Sequence, residues 1–547
     1  MRKGYSLLGE HDQEAIKEYK LALAIDSACT NAWQNIGLYY AKNDSVPTAL
    51  RIADNALRLC TEDLEDIYRL KANCLADLER YNEALPYYYK ALRIEPENTN
   101  AIYNLGYSHY MLKKWDSAIH YFTWYVDEGN DNEDKLSDVL FYLGTSYQSR
   151  GDGAVSLPYF DRAIALEQFH NYYYNKAHAL DELKRYDEAI ATLKEGIKNN
   201  PNNALLYHKR YQVYRDMKLH DKANADLLKA YSLDNKEADI LLDMGNMYEN
   251  QSDVKKALSF FYQCIAMSKN KAEAYGNIAN LYSNNEQMQD SALYYYKQTI
   301  KLDPKEAKHF YNFGNYYKKT GDADKAILMY EKAIALNPKL SEPYNNIAVL
   351  LIKEDDYLTA KKYILKGLKV APTDYNLNVK AAAVFQELKQ YDTAIIYANK
   401  GVELAGNDYN IEELLNIRGI SRQILGDYDN ALIDYMAMLS KITVQDRKRN
   451  PSLLSNIGYC YLENGNNELA LQYFKEAVDY KLEVDQLLGL AIVYQKMGKS
   501  IKADEALNMA KEEEPLLSKG FAGIKELENQ GYFYSKKNKA VLRELLD

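Results

Sequence analysis

The sequence predicts an all-α fold, a solenoid built from tandem helix-turn-helix units. Three observations carry this prediction: a repeat period of about 34 residues, small residues at fixed places within each period, and Pro at the end of several periods. About fifteen copies follow one another, and the first copy is truncated. A unit of this length cannot bury its own apolar face, so the units must stack on their neighbours.

The clearest copy runs from Ala307 to Pro338. Apolar and small residues at i, i+3, i+4 and i+7 predict its first helix, namely Phe310, Phe313, Gly314 and Tyr317. Gly321 and Asp322 indicate a turn. The alternation of small and large residues predicts the packing face of the second helix, namely Ala326, Tyr330 and Ala333. Pro338 ends that helix, because its ring clashes with the preceding turn.

Residues 1–515 are predicted to form the tandem array, and residues 516–547 are predicted to form a C-terminal helical cap. Extra residues near 131–136, 407–411 and 442–451 interrupt the period. They indicate either longer loops between repeats or joints between blocks of repeats. Beyond Pro515 the pattern is lost, and a more polar terminal element would shield the last apolar face.

This order of Gly or Ala, aromatic, Ala, aromatic, Ala and Pro resembles the tetratricopeptide repeat (TPR) family. The third unit carries the same order as the clearest copy, with Tyr68, Ala72, Ala84, Tyr88, Ala91 and Pro96. The resemblance covers nearly the whole chain. It implies a right-handed superhelix whose concave groove binds proteins or peptides.

The amino-acid composition limits which kinds of partner the protein can bind and in which compartment it can lie. The chain has 68 basic and 78 acidic side chains and a net charge of -10, spread along its length without a basic stripe, so we expect no nucleic-acid partner. No stretch approaches the ~20 apolar residues that cross a bilayer. We expect a soluble protein that is cytoplasmic by default, or periplasmic or secreted if an upstream signal segment is missing, because the chain begins partway through a repeat. Homo-oligomerisation is left open.

The sequence carries no motif of catalysis. The eight His and five Cys have no metal-ligand spacing, and HExxH, P-loop, GxSxG and dinucleotide fingerprints are absent. We therefore predict no catalytic residues, no metal site and no cofactor, and a protein that is not an enzyme. Cys264 occupies a small-residue position of the repeat and is predicted to pack in the core.

A second pattern of the same period lies on another face of the first helix. At 100° per residue, Asn312 lies about 200° from Phe310 and therefore away from the packing face. Asn315 and Lys319 share its face. Asn recurs at the position of Asn312, two residues before the small residue, as Asn35, Asn104, Asn175, Asn277, Asn312, Asn346 and Asn456.

The family resemblance implies a function for these Asn residues. In long TPR superhelices, notably those of the O-linked N-acetylglucosamine transferases, Asn at this place lines the inner surface and binds the backbone of an extended peptide. The closest match here is the run Asn277, Asn312 and Asn346. An amide can donate to and accept from a peptide group. The alternative is that these Asn residues bond a neighbouring helix. Nearby aromatic residues would supply specificity, namely Tyr107, Tyr142, Tyr174, Tyr311 and Tyr459.

Chaperone-binding members of the family clamp a terminal carboxylate with residues from three units. Arg69, Asn73 and Asn104 match the first part of that clamp. The next unit should supply two basic residues and instead offers Asp138 and Tyr142, of which the Asp would repel a carboxylate.

The predicted function is a non-catalytic protein–protein interaction scaffold that binds an extended peptide or a partner helix. The alternative is a substrate-presenting or regulatory subunit of an enzyme complex, and a co-chaperone ranks third. Stoichiometric co-purification with one enzyme would favour the subunit. If the protein binds internal peptide segments but not a peptide with a free C-terminal carboxylate, the co-chaperone function is excluded.

Overall fold

The computed structural model describes residues 12–43, 45–127, 133–268, 271–406, 411–443, 445, 448, 450–520, 522–524, 526 and 538–546. These residues form helices and turns, and none of them lies in a β-strand. They divide into two compact units, unit 1 within residues 1–269 and unit 2 within residues 270–547. The predicted all-α solenoid class is confirmed.

In unit 1, helix α1 is followed by seven helix pairs. Their bounds are α1 Asp12–Ile25, α2 Thr30–Lys42, α3 Val46–Leu59, α4 Glu65–Asp77, α5 Tyr81–Ile94, α6 Thr99–Met111, α7 Trp115–Asp127, α8 Glu133–Arg150, α9 Gly153–Leu166, α10 His170–Glu182, α11 Tyr186–Asn199, α12 Ala204–Asp216, α13 His220–Leu233, α14 Ala238–Asn250 and α15 Val254–Met267.

Unit 2 continues the same alternation. Its helices are α16 Ala272–Ser283, α17 Gln289–Leu302, α18 Ala307–Thr320, α19 Ala323–Leu336, α20 Glu342–Lys353, α21 Tyr357–Val370, α22 Tyr375–Glu387, α23 Tyr391–Ala405, α24 Glu412–Leu425, α25 Tyr428–Leu439, α26 Pro451–Glu463, α27 Asn467–Tyr480, α28 Val484–Lys496, α29 Ser500–Glu513 and α30 Lys539–Leu546. Helices α2 to α29 pair as hairpins in which the even-numbered helix comes first.

The turn inside most of the described hairpins uses one left-handed residue. Gly321, seven residues after Gly314, has φ +83° and ends α18 as its C-cap. At the equivalent place Glu79, Lys184 and Lys389 adopt φ +59°, +58° and +56°. A side chain in this conformation costs roughly 1–2 kcal/mol, so the fold imposes the turn even where Gly is missing. The second helix of the clearest copy ends at Leu336, two residues before Pro338, as predicted.

The hairpin core depends on a small residue of the first helix facing a large residue of the second. A Cβ added to Gly314 would lie 2.6 Å from Cδ1 of Tyr330, and one added to Gly245 would lie 2.3 Å from Cε1 of Phe261. Tyr330 and Phe261 are fully buried. The predicted size alternation is therefore the packing rule of the hairpins.

The described part of the predicted cap packs on the last hairpin. Leu542 and Leu546 of α30 and Leu517 share one buried cluster with Leu487 of α28 and Leu507 of α29. The cap boundary at 516 and the three joints stay predictions. Within these segments residues 131–132, 407–410, 444, 446–447, 449, 521, 525, 527–537 and 547 lie outside the described residues.

The packing rule predicts opposite effects for the same substitution at two glycines. Gly314→Ala should lower the free energy of unfolding by up to about 2 kcal/mol, because overpacking costs ~1–3 kcal/mol and the better helix propensity returns only ~1 kcal/mol. Gly276→Ala in α16 should be neutral or stabilising, because its new Cβ would lie 3.6 Å from the nearest atom, in Thr299. Urea unfolding followed by far-UV circular dichroism tests this. Equal losses at both sites would contradict it.

Candidate functional site

Asn346 lies inside a hydrogen-bonded network and not on an open surface. Its side chain is 9% exposed. The amide Nδ2 donates to Oδ1 of Asn315 at 3.0 Å and to the hydroxyl of Tyr330 at 3.3 Å, and Oδ1 accepts from Nζ of Lys318 at 3.1 Å. The Tyr330 hydroxyl donates to Oδ1 of Asn315 at 2.7 Å. Asn346 therefore joins α20 to the preceding hairpin, α18 and α19.

The same arrangement recurs in unit 1. The hydroxyl of Tyr88 donates to Oδ1 of Asn73 at 2.7 Å, and Nδ2 of Asn104 donates to the same oxygen at 2.9 Å. We call this three-residue arrangement the Asn–Tyr clasp: Asn on a first helix, Tyr on its second helix, and Asn on the next first helix. Its members are Asn73, Tyr88 and Asn104 in unit 1, and Asn315, Tyr330 and Asn346 in unit 2.

A third pair lacks the last member of the clasp. The Tyr296 hydroxyl donates to Oδ1 of Asn280 at 2.7 Å. Asn312 holds the third position, one repeat later, but no hydrogen bond joins its side chain to Asn280, to Tyr296 or to any other described residue. Asn312 is half-buried on α18. Asn312 therefore lacks the internal hydrogen bonds that its counterparts Asn104 and Asn346 make.

The other predicted Asn residues differ among themselves. Asn35 and Asn175 each donate to a carbonyl one turn earlier in their own helix, at Asn31 (2.8 Å) and Asn171 (2.9 Å). Asn456 is half-buried on α26 and has no hydrogen-bond partner among the described residues. Asn277 is half-buried on α16.

Two further predicted residues lie on α18 near Asn312. Nζ of Lys319 is exposed and donates to Oδ1 of Asn284 at 2.9 Å, which links α18 to the end of α16. Tyr311 is half-buried, and its ring centroid lies 5.9 Å from that of Tyr330. Its hydroxyl has no hydrogen-bond partner among the described residues.

The tyrosines that the sequence suggested for specificity separate into accessible and buried ones. Tyr107 and Tyr142 come together with ring centroids 5.2 Å apart, and both are half-buried. Tyr174 is also half-buried. The expectation is wrong for Tyr459, which is 1% exposed and donates its hydroxyl to the backbone carbonyl of Asp485, because packing against Phe474 encloses its ring.

The partial carboxylate clamp has most of its groups engaged within the protein. Arg69 pairs with Asp66, and Oδ1 of Asn73 accepts two hydrogen bonds within the Asn–Tyr clasp. Asp138 accepts from the hydroxyl of Tyr172 at 3.2 Å. These contacts add to the charge argument against a terminal carboxylate at this place.

The four buried cysteines, Cys60, Cys74, Cys264 and Cys460, serve packing. Cys264 is 3% exposed, as its predicted core position requires. Burial raises the pKa of Cys74 and of Cys460 to about 12, so both stay protonated thiols at neutral pH. In the described ranges no group of three or more His, Cys, Asp or Glu side chains could hold a metal ion. Nor does any helix of those ranges combine the length and the apolar character needed to cross a membrane.

Hairpins repeated in register and packed through small residues define a helical-repeat protein. Models described as tetratricopeptide repeat match residues 75–132, 170–203, 307–340, 329–362 and 451–483. These segments of the chain are tetratricopeptide repeats. Repeats of this kind support a role as a protein-interaction scaffold.

Curated relatives match parts of the chain. Anaphase-promoting complex subunit 3 of Schizosaccharomyces pombe is 24% identical over 194 residues, which span 35% of this chain and 28% of that protein. Photosystem I assembly protein Ycf3 of Rippkaea orientalis is 30% identical over 87 residues, 16% of this chain and 49% of that protein. The aligned regions thus span less than half of each relative.

Among solved structures, the APC/C hetero-tetramer Cut9-Hcn1 gives a TM-score of 0.35 at 14% identity, covering 91% of this chain and 98% of that one.

The Asn–Tyr clasp can be tested with two tyrosines of the same repeat. Tyr330→Phe should lower the free energy of unfolding by about 1–3 kcal/mol, because two buried hydrogen bonds are lost at ~0.5–1.5 kcal/mol each. Tyr311→Phe should leave it unchanged, because its hydroxyl bonds no described residue. Urea unfolding of both variants is the measurement, and an equal response would argue against the clasp.

Proposed function

We propose that this chain is a non-catalytic scaffold that binds an extended segment of a partner protein along the groove of first helices in unit 2. Asn312 carries the proposal. Its amide is half-buried and bonds no described residue, although it holds the position that its counterparts Asn104 and Asn346 fill with internal hydrogen bonds.

A half-buried amide without a partner favours a ligand with peptide groups. A passing backbone can donate to Oδ1 and accept from Nδ2 without breaking any hydrogen bond to the described residues. Because the amide bonds the backbone, Asn312 would accept many sequences. The hydroxyl of Tyr311, one residue earlier, is a second free polar group next to it.

The neighbouring repeats would support Asn312 in different ways. In this proposal Asn346 is a fixed part of the groove, because its Nδ2 and Oδ1 are both bonded within the protein. Lys319 places a positive charge on the same helix, where it could meet an acidic side chain of the partner. Asn277 lies at the same position one repeat before Asn312, and it would extend the line of Asn side chains along the groove.

A second candidate function is that of a regulatory or substrate-presenting subunit in a larger complex. The match to anaphase-promoting complex subunit 3 over 194 residues favours it. The two candidate functions predict different patterns of co-purifying proteins. A subunit would co-purify with the same set of proteins in fixed proportion, whereas a peptide-binding scaffold would exchange partners.

Single substitutions in matched Asn residues separate binding from stability. Asn312→Ala should weaken partner binding by about 2- to 12-fold, the equivalent of one net hydrogen bond, and leave urea unfolding unchanged. Asn346→Ala should lower the free energy of unfolding, because it opens the Asn–Tyr clasp. Asn35→Ala should change neither, because that amide bonds its own helix.

The full-length chain first captures its partner, which mass spectrometry identifies, and titration calorimetry then measures affinity for the bound segment. Unchanged affinity in Asn312→Ala would overturn the assignment of the site. Loss of affinity in Asn35→Ala alone would place the binding surface in unit 1.

A further inference from the structure

Unit 1 carries a surface of clustered aromatic rings. The tyrosine patch consists of Tyr81 at the start of α5, Tyr103, Tyr107 and Tyr110 on α6, and Tyr142 on α8. All five are half-buried, so part of each side chain reaches solvent. The ring centroid of Tyr107 lies 5.2 Å from that of Tyr142, 6.3 Å from Tyr110, 6.4 Å from Tyr81 and 6.5 Å from Tyr103. The patch is thus one continuous cluster centred on Tyr107.

The rings of α6 form a row. Tyr103, Tyr107 and Tyr110 follow one another at i, i+4 and i+7, on one side of the helix. The planes of Tyr103 and Tyr107 differ by 10°, and those of Tyr107 and Tyr110 by 22°. The hydroxyls of Tyr103, Tyr107, Tyr110 and Tyr142 make no hydrogen bond with any described residue. The patch therefore presents ring surface and free hydroxyl groups together.

Carboxylates border the patch. Asp77 ends α4, Glu79 lies in the turn before Tyr81, and Asp138 lies one turn before Tyr142 on α8. Burial raises the pKa of Tyr107, and neighbouring tyrosines and then the charges of Asp138 and Glu79 raise it further. Asp77 and Glu79 form no ion pair within the described residues. These carboxylates thus lie beside the rings of Tyr81 and Tyr107, whose faces are themselves electron-rich.

The protein already places cations of its own on tyrosine rings nearby. Nζ of Lys135 lies 5.1 Å from the ring centroid of Tyr103, and Nζ of Lys71 lies 4.2 Å from that of Tyr87. Lys135 covers one end of the row, and burial lowers its pKa. Tyr107, Tyr110 and Tyr142 have no cation over their rings among the described residues.

We propose that the tyrosine patch binds an arginine side chain presented by a partner protein. A guanidinium is planar and weakly hydrated, so it can stack on the ring of Tyr107, beside the ring of Tyr142 whose plane differs by 66°, while its N–H groups reach the Asp138 carboxylate and the free tyrosine hydroxyls. Lysine offers a compact, strongly hydrated charge and fits this arrangement less well. The net charge of -10 would attract a basic segment from a distance.

Three labelled peptides probe the proposal with the full-length chain: acetyl-(Gly-Arg)4-amide, the same peptide with Lys, and the same peptide with uncharged citrulline. Fluorescence anisotropy at low and at physiological salt gives their affinities. We expect arginine to bind more tightly than lysine, and lysine more tightly than citrulline. Equal binding of arginine and citrulline peptides would overturn the proposal, and lysine binding as tightly as arginine would overturn the choice of arginine.

Matched variants separate the patch from general attraction to an acidic protein. Tyr107→Leu should weaken arginine-peptide binding by about two- to thirty-fold, the range from an exposed to a desolvated cation–π contact, whereas Tyr107→Phe should keep most of it. Tyr147→Leu is the control, because Arg150 already lies 5.1 Å from that ring centroid. Asp138→Asn should weaken binding, whereas Asp187→Asn, which removes an exposed charge of α11, should not.

Each control also marks an outcome that contradicts the proposal. Equal losses in Asp138→Asn and Asp187→Asn would show that net charge alone attracts the peptide. If Tyr107→Leu does not fold, the aspartate pair and the Tyr107→Phe variant still decide the question. Asn312→Ala should leave arginine-peptide binding unchanged, because that residue belongs to unit 2, so failure of one proposal does not imply failure of the other.

Discussion

The distance between the two helices of a hairpin is set by one contact, between a small residue of the first helix and a large ring or chain of the second. At Gly314, Gly419 and Gly458 an added Cβ would come within 3.0 Å of the facing aromatic ring. That contact packs each ring against the first helix. It also fixes the position of the end of the ring that lies farthest from the backbone. Where the ring is Tyr330 and not Phe, the hydroxyl at that edge meets Asn315. The rule that packs the hairpin therefore also positions the polar groups that join it to the next.

The sequence was sufficient for the features that repeat with a fixed period. Gly314, Ala326, Tyr330 and Ala333 predict their own packing, because each depends on contacts within one hairpin. The hydrogen-bond partners of the Asn346 side chain could not be predicted in the same way. Its partners Asn315 and Tyr330 are 31 and 16 residues away, and the choice between an internal bond and a ligand depends on distances of a few tenths of an ångström. A usable signal does exist: Tyr in place of Phe on the second helix accompanies Asn at residues 73, 280 and 315.

The two proposed surfaces differ in chemistry because they lie on different helices and use mainly different positions of the first helix of a repeat. Asn312 offers an amide that can bond any peptide backbone, which favours breadth of recognition. The tyrosine patch offers ring faces bordered by carboxylates, which favours one kind of side chain. A repeat scaffold can carry both, because each surface keeps part of its side chains exposed to solvent. Substitution of Asn312 can alter recognition with little effect on the fold, whereas loss of a patch ring also removes contacts with the buried core.

The Asn–Tyr clasp also bears on how the array loses its structure. In a linear array, cooperativity depends on the energy of each junction between neighbouring repeats relative to the repeats themselves. A clasp adds buried hydrogen bonds to the junctions after α5 and after α19, so the hairpins on either side should open together. Junctions without a clasp depend more on apolar contact and should open more independently. Amide hydrogen exchange would then show blocks of equal protection around the two clasps, with boundaries set by side chains and not by the length of the repeat.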